Sequence, residues 1–331
     1  RFASVRTGGV RQGSNGNRFG GALSAVASQG DGTLPYGDHD FKRISGHLQW
    51  SGDGRETNLL MGYHDKFYGW PGAYTGFASL PETDHTKLGL IVMDHRWSNT
   101  SRWWEVASAY RELDDDYDFD RRTFETGTPG SFEHLTRSFS VGLSGQQLLG
   151  GLYWNVNAQL STDRLVRSTD LTHGTFNSRD YLSLSLAPEK TWNLGNGATL
   201  SLRGGLRFDA SNRDENALLP MLSITAEQAV GGGSNQYGLH YSSASQLPGY
   251  TALNSSPRGL FGGNPDLERE YADTLTVAFS HQRSTWSALA AFFHRKDRDL
   301  VDWTFLANAP FLRQANAVDA DVSGFEGLLY W

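Results

Sequence analysis

Residues 113–125, LDDDYDFDRRTFE, nearly spell a calcium-binding loop. Calcium takes hard oxygen ligands, and the helix-flanked calcium loop supplies them from its first, third, fifth and twelfth positions around a Gly at the sixth. With Asp114 as the first position, Asp116, Asp118 and Glu125 fall at the third, fifth and twelfth. Phe119 stands where the sharp turn needs Gly, and no helical periodicity flanks the run, so that loop type is rejected. Two readings stay open: a solvated acidic loop tip, and a looser loop-bound calcium at Asp114, Asp116 and Asp118. No other cofactor is expected.

A second stretch, FYGWPGAYTGF, places Phe67, Tyr68, Trp70, Tyr74 and Phe77 in a segment broken by Gly and Pro. Rings on such a loop can stack on a bulky, partly apolar ligand, or pack on one another and hold the loop closed. Tyr250 and Phe261, in a later long connection, are candidates for the same ligand-binding role. Enzyme chemistry finds no footing. The histidines form no HExxH pair, GLSGQ lacks the nucleophile pattern GxSxG, and GNGATL is too short for a phosphate cradle. Glu268 and Glu270 sit two residues apart in an exposed connection, where carboxylates are solvated rather than catalytic. The chain has no cysteine, which removes disulfides and Cys-based metal or redox sites. Its net charge of -7 comes from well-mixed acids and bases without a basic stripe, so nucleic acid is not an expected partner. No catalytic residue is assigned, and the chain is read as a non-enzyme.

The elements that must carry these residues are strands. In TLSLRGGLRFD, Leu200, Leu202, Leu206 and Phe208 share one parity, and Arg203, Arg207 and Asp209 the other. Trp154, Val156, Ala158 and Leu160 alternate in the same way with Asn155, Asn157 and Gln159, as do Leu275, Val277 and Phe279 with Thr274, Thr276 and Ser280. Period-two alternation sends successive side chains to opposite faces of a strand. There are about fifteen such segments, most of them about nine to thirteen residues long, against about five or six in an ordinary strand. Short turns near 52–54, 98–100, 146–150, 189–197, 229–234 and 282–284 interleave with long connections at 30–39, 64–85, 113–131, 163–178, 210–216, 244–271 and 297–318. An up-and-down antiparallel sheet puts alternate connections at opposite ends, so one end carries short turns and the other large loops.

Tryptophan marks the short-turn end. Trp50, Trp97, Trp103, Trp104, Trp154 and Trp286 flank short turns and Trp192 lies in one, whereas Trp70 and Trp303 fall in long loops. Indole favours a membrane-water interface, with its apolar body in lipid and its N–H in water. Arg203 and Arg207 would cost roughly 2 to 4 kcal/mol each at mid-membrane, so they must line a wet interior while the leucines meet lipid. The expected fold is all-β: a transmembrane antiparallel up-and-down barrel with long extracellular loops and short periplasmic turns. No apolar run approaches the ~20 residues of a membrane helix.

One region resembles a known family. SSASQLPGYTALNSSPRGLFGGNPDLERE, residues 242–270, resembles the signature of TonB-dependent outer-membrane receptors, with Asn264, Pro265, Asp266, Leu267 and Glu270 at the motif positions. RKDRDLVDW and RQANAVDADVSGFEGLLYW resemble the strands that follow in that family, and GYHDKFYGWPGAYTGF an early extracellular loop. Two places depart from the pattern: Arg269 stands where the family usually has Pro, and Gln246, Leu247 and Pro248 where it often has a basic residue and Ala-Pro. The spacing is similar to cobalamin receptors, with ferric-siderophore receptors beside them, since the motif marks architecture rather than ligand.

The resemblance implies a 22-stranded barrel with an N-terminal plug, energised by the TonB-ExbB-ExbD complex. Residues 1–331 then form one barrel domain, a fragment with plug and TonB box ahead of it and about seven strands of the implied 22 beyond. The expected function is uptake of cobalamin or a ferric siderophore across the bacterial outer membrane, with lipid around the wall. A passive porin-like barrel ending at Trp331 and a secreted β-rich carbohydrate-binding protein are the alternatives.

Overall fold

The structure, a computed structural model, describes residues 1–331 except 14, 77–78, 123–130, 260 and 307, and the backbone alone at 306 and 309–311. Its strands are β1 (Phe2–Gln12), β2 (Arg18–Gly30), β3 (His39–Gly52), β4 (Arg55–Gly69), β5 (Thr83–Ser98), β6 (Arg102–Asp118), β7 (Ser131–Leu149) and β8 (Leu152–Ser168). There follow β9 (Ser178–Gly195), β10 (Ala198–Ser211), β11 (Ala217–Val230), β12 (Gly233–Gln246), β13 (Phe261–Gly262), β14 (Glu270–Arg283), β15 (Ser287–Leu306) and β16 (Ala309–Tyr330). The hydrogen-bonded order is the chain order through β12 and then β14, β15 and β16. The two-residue β13 lies on the free side of β16 and pairs with it in parallel. A short helix, α1 (Tyr250–Asn254), sits in the connection from β12 to β13. No described helix is long and apolar enough to cross a membrane.

Chain contacts group into two units, residues 1–142 with 160–180, and residues 143–159 with 181–331. In the first unit, Ile44, Met61, Tyr63, Ile91, Met93 and Tyr110 are exposed on one face. Register keeps them there, since Ile44 lies opposite Tyr63, Met61 opposite Ile91, and Ile91 opposite Tyr110. The second unit repeats the arrangement in a row from Leu202 through Ile224, Leu239, Val277 and Phe292 to Phe325, each across from the next. On its other face Arg203 pairs with Glu189 at 2.9 Å and Arg207 with Asp209 at 2.7 Å. Buried apolar side chains are few: Leu165 and Leu171 in the first unit, Leu219, Leu247, Tyr250 and some alanines in the second. An apolar surface of this extent, continuous across many strands, belongs against another apolar phase.

Turn chemistry explains the short end. Asp53-Gly54, Gly150-Gly151, Asn196-Gly197 and Gly231-Gly232 have positive φ at both residues, the backbone of a two-residue turn whose twist matches the flanking strands. Parts of two expected long loops prove to be strand. Residues 113–118 continue β6, and 298–306 and 309–318 continue β15 and β16. The strands are therefore longer than expected, 22 residues in β16, and Trp303 lies in β15 rather than in a loop. Charge pairing supplies the reason in β6, where Asp114 lies opposite Lys87 and Asp116 opposite His85. Cross-strand partners of opposite sign stabilise pairing even where both faces are polar and alternation is lost.

Candidate functional site

The connection from β4 to β5, residues 70–82, is folded on itself by its own backbone. Trp70 N–H donates to Glu82 O at 2.8 Å, Gly72 to Leu80 O at 3.0 Å and Ser79 to Thr75 O at 2.7 Å. At its centre is the Glu82 side chain, fully buried. Its carboxylate accepts from Tyr74 N–H at 3.1 and 3.0 Å, from Thr75 N–H at 2.7 Å, from the Thr75 hydroxyl at 2.5 Å and from the Tyr117 hydroxyl. A buried ionisable group needs such partners, because desolvation of an unpaired carboxylate is prohibitive.

Around this anchor the rings form one connected cluster. Tyr68 lies 5.5 Å from Trp70, Trp70 is edge-on to Tyr74 at 5.7 Å, and Tyr74 is edge-on to Tyr117 at 5.4 Å. Tyr117 continues to Phe119 at 5.2 Å and stacks on Phe132 at 6.2 Å. These are the offset and edge geometries that ring quadrupoles favour. Phe67 points to the other face of β4, edge-on to His85 at 6.0 Å. Phe77 lies outside the described residues. Of the expected ring residues, Tyr68, Trp70 and Tyr74 are thus brought together, with Phe67 set apart from them.

Cations accompany the rings. The Arg121 guanidinium lies 5.4 Å from the Phe67 ring centre and 5.9 Å from that of Tyr36, and Lys66 lies 4.5 Å from that of Tyr68. Arg121 also forms a two-pronged pair with Asp38. Its hydrogen bond holds the Asp38 carboxyl below the usual carboxylate range, and the same contact raises the guanidinium. The loop at 31–38 reaches β4 because Gly69 has no side chain: a Cβ there would sit 1.7 Å from Tyr36 O, while Gly69 N–H donates to Asp38 O at 2.7 Å. Glu82, Tyr36, Tyr117, Phe119, Arg121 and Phe132 were not singled out as site residues. Tyr117, Phe119 and Arg121 lay inside the acidic run read for calcium.

The first part of the acidic run is strand rather than loop. Asp114, Asp116 and Asp118 stand at every second position of β6, on one face of the strand and about 6.6 Å apart along the chain, rather than around a loop tip. Asp114 instead takes Arg167 at 3.0 Å. Among the described residues no group of three or more His, Asp or Glu is gathered for a metal.

In the second unit the motif residues fasten a different loop. Asn264 N–H donates to Ala252 O of α1 at 2.7 Å, and the Asn264 side chain accepts from Asp266 N–H at 3.0 Å. Pro265 and Asp266 make the turn, Leu267 follows it, and Glu270 opens β14, accepting from Val301 N–H at 3.2 Å. Tyr250 begins α1 and is buried. Phe261 is edge-on to Trp303 at 5.5 Å, with the Arg313 guanidinium 5.3 Å from its centre. Arg269, 2% exposed, ties these parts together. Its N–H donates to Asp214 at 2.5 Å, and its guanidinium to Ser245 and Ser211 at 3.2 Å and to Glu215 O at 3.0 Å.

The family model described as TonB dependent receptor-like, beta-barrel, matches residues 28–331. Among solved structures the chain is similar to the siderophore receptor PirA from Pseudomonas aeruginosa, with TM-score 0.72 and 14% identity over 98% of this chain and 59% of that one. The ferric enterobactin receptor PfeA from the same organism, a mutant in complex with enterobactin, gives 0.68 and 15% over 98% and 57%. A double mutant of the hemophore receptor HasR of Serratia marcescens, with its hemophore HasA and heme, gives 0.64 and 13% over 98% and 60%. At these identities the likeness is one of fold. The chain spans less than two thirds of the length of each. No curated protein matches it. By its family match the chain belongs to the TonB-dependent receptors, as β-barrel sequence of the bacterial outer membrane.

Proposed function

We propose that this chain is the wall and loop apparatus of a receptor that captures a scarce, bulky ligand outside the cell and admits it by TonB-coupled transport, without chemical change. The observation that carries this reading is the ring cluster Tyr68, Trp70, Tyr74 and Tyr117, with Trp70 and Tyr74 still 44% and 50% exposed. Rings that are ordered and still open to solvent favour a large ligand with flat or apolar parts. The exposed apolar faces of both units would meet membrane lipid, and Trp97 opposite Trp104 would lie at its periplasmic interface. Energy would come from the TonB-ExbB-ExbD complex through a plug outside these residues.

The ligand class we favour is the ferric siderophores, ahead of cobalamin. Lys66 stands over Tyr68 at the edge of the ring cluster, a pairing that suits an anionic, ring-bearing chelate. Cobalamin carries little net charge and would use the rings alone. Full-length receptor titrated with a ferric tris-catecholate and with cyanocobalamin separates the two. Trp70→Ala is expected to weaken binding of the preferred probe about tenfold, the range of a central aromatic contact, with the barrel still folded. Unchanged affinity returns the rings to loop packing, and no binding of either probe discards both classes.

A further inference from the structure

We propose that Glu82 is the positioning residue of this aromatic site: its carboxylate is an internal anion that occupies a nest of loop donors and thereby fixes the rings that meet the ligand. The assignment of a ligand to those rings rests on the proposed function. The anchoring role rests on geometry alone.

The donors come from two places. Tyr74 N–H, Thr75 N–H and the Thr75 hydroxyl belong to the loop tip, and the Tyr117 hydroxyl belongs to β6. One carboxylate therefore fastens the tip both to its own base and to a neighbouring strand. Each of these partners donates, which suits an ionised carboxylate, a group that only accepts. Thr75 completes the nest from beneath: it is buried, and its hydroxyl also accepts from Leu80 N–H at 3.2 Å.

Ring packing does not account for the order of this loop. Trp70 and Tyr74 remain about half exposed, so they bury too little apolar surface to hold a thirteen-residue connection, residues 70–82, against its conformational entropy. Charge-assisted hydrogen bonds to a fully buried acceptor are the strong contacts present. Their effect is preorganisation: the rings stay exposed, yet their ordering is settled before a ligand arrives. The sequence holds the same logic, since Glu82 follows Pro81 at the point where the loop must re-enter β5.

The test uses full-length receptor in detergent and chymotrypsin, which cuts after Tyr74. Glu82→Ala is expected to raise the cleavage rate at Tyr74 at least tenfold over wild type, the change that net loss of about one charge-assisted bond would give. Added formate, a carboxylate small enough for the vacated nest, should slow it again. Wild-type cleavage of Glu82→Ala, or cleavage indifferent to formate, overturns the proposal. Should Glu82→Ala fail to fold, Tyr117→Phe removes a single donor and is expected to raise cleavage about fivefold. No change there overturns the proposal equally. Trp70→Ala leaves every Glu82 donor in place, so it should keep the wild-type cleavage rate. If it also keeps wild-type binding, the ligand reading fails while the anchor stands.

Discussion

The long connections of the two units are held by buried ionisable groups of opposite sign. In the first unit it is Glu82, fully buried, and in the second Arg269, 2% exposed. Both are held by hydroxyls and backbone groups rather than by a single counter-ion, although the buried Arg269 Nε has no hydrogen-bond partner among the described residues, and this suits loops too polar to be held by apolar burial. They differ in reach. The Glu82 partners lie seven or eight residues away in the same loop, apart from Tyr117 at 35. Those of Arg269 lie 24 to 58 residues away and join the loop at 212–216, the end of β12 and the entry to β14. The entropy of closing a loop grows with its length, so Arg269 restrains far more chain than Glu82 does. One device orders a single loop, and the other ties a loop to the ends of several strands.

The largest effect should follow from Arg269→Ala. It removes a guanidinium that is 2% exposed, with its hydrogen bonds to Ser211, Ser245 and Glu215 O, and a loss of about 2 kcal/mol in unfolding free energy is expected. Urea unfolding of the full-length receptor in detergent measures it. Arg269→Pro, the residue the family usually has there, should be no better, since proline also removes the N–H that Asp214 accepts. A stability within 0.5 kcal/mol of wild type, the ~0.5 kcal/mol band of neutral surface changes, would break the comparison.

Glu82→Gln should act locally. The amide keeps the shape of the carboxylate but places an NH2 among donors, so global unfolding should stay within about 0.5 kcal/mol of wild type. Hydrogen exchange at the Tyr74 and Thr75 amides should quicken roughly tenfold, as expected when a local opening becomes about 1.4 kcal/mol easier. A drop in global stability matching that of Arg269→Ala would erase the distinction between the two anchors.

Much of the wall was legible in the sequence. Alternation at Leu200, Leu202 and Leu206 against Arg203 and Arg207 reports the two faces, because one face is apolar along the strand. Where both faces are polar that signal vanishes, which is why residues 113–118 read as a loop. Their pairing depends on Lys87 and His85, from a strand whose register the sequence does not print. The rings at 67–77 were legible through density alone. Glu82 was not, since a single loop carboxylate has the composition of a solvated one and its donors are mostly backbone N–H groups. Arg269 was visible only as a departure from a family pattern, a sign that something differs without saying what it touches.

The smallest expected effect sharpens the same contrast, because the pair Asp38 and Arg121 is only part-buried, with side chains 36% and 23% exposed. Solvent screening keeps its contribution below that of either buried anchor. Asp38 is depressed chiefly by its hydrogen bond to Arg121, so its folded pKa lies below its unfolded value. The pair therefore stabilises its loop at pH values above the ordinary carboxylate range near ~4, and that contribution is lost as pH falls through the folded pKa. Gly69 N–H, bonded to Asp38 O, reports the loop directly. Its protection against hydrogen exchange, corrected for the intrinsic rate, should hold from neutral pH to about 4 and decline below it. Asp38→Asn should lower the protection at neutral pH and abolish the decline. A decline of equal size in Asp38→Asn would assign it to other carboxylates, and a flat profile in the wild type would show that Gly69 and backbone closure hold this loop without the ion pair.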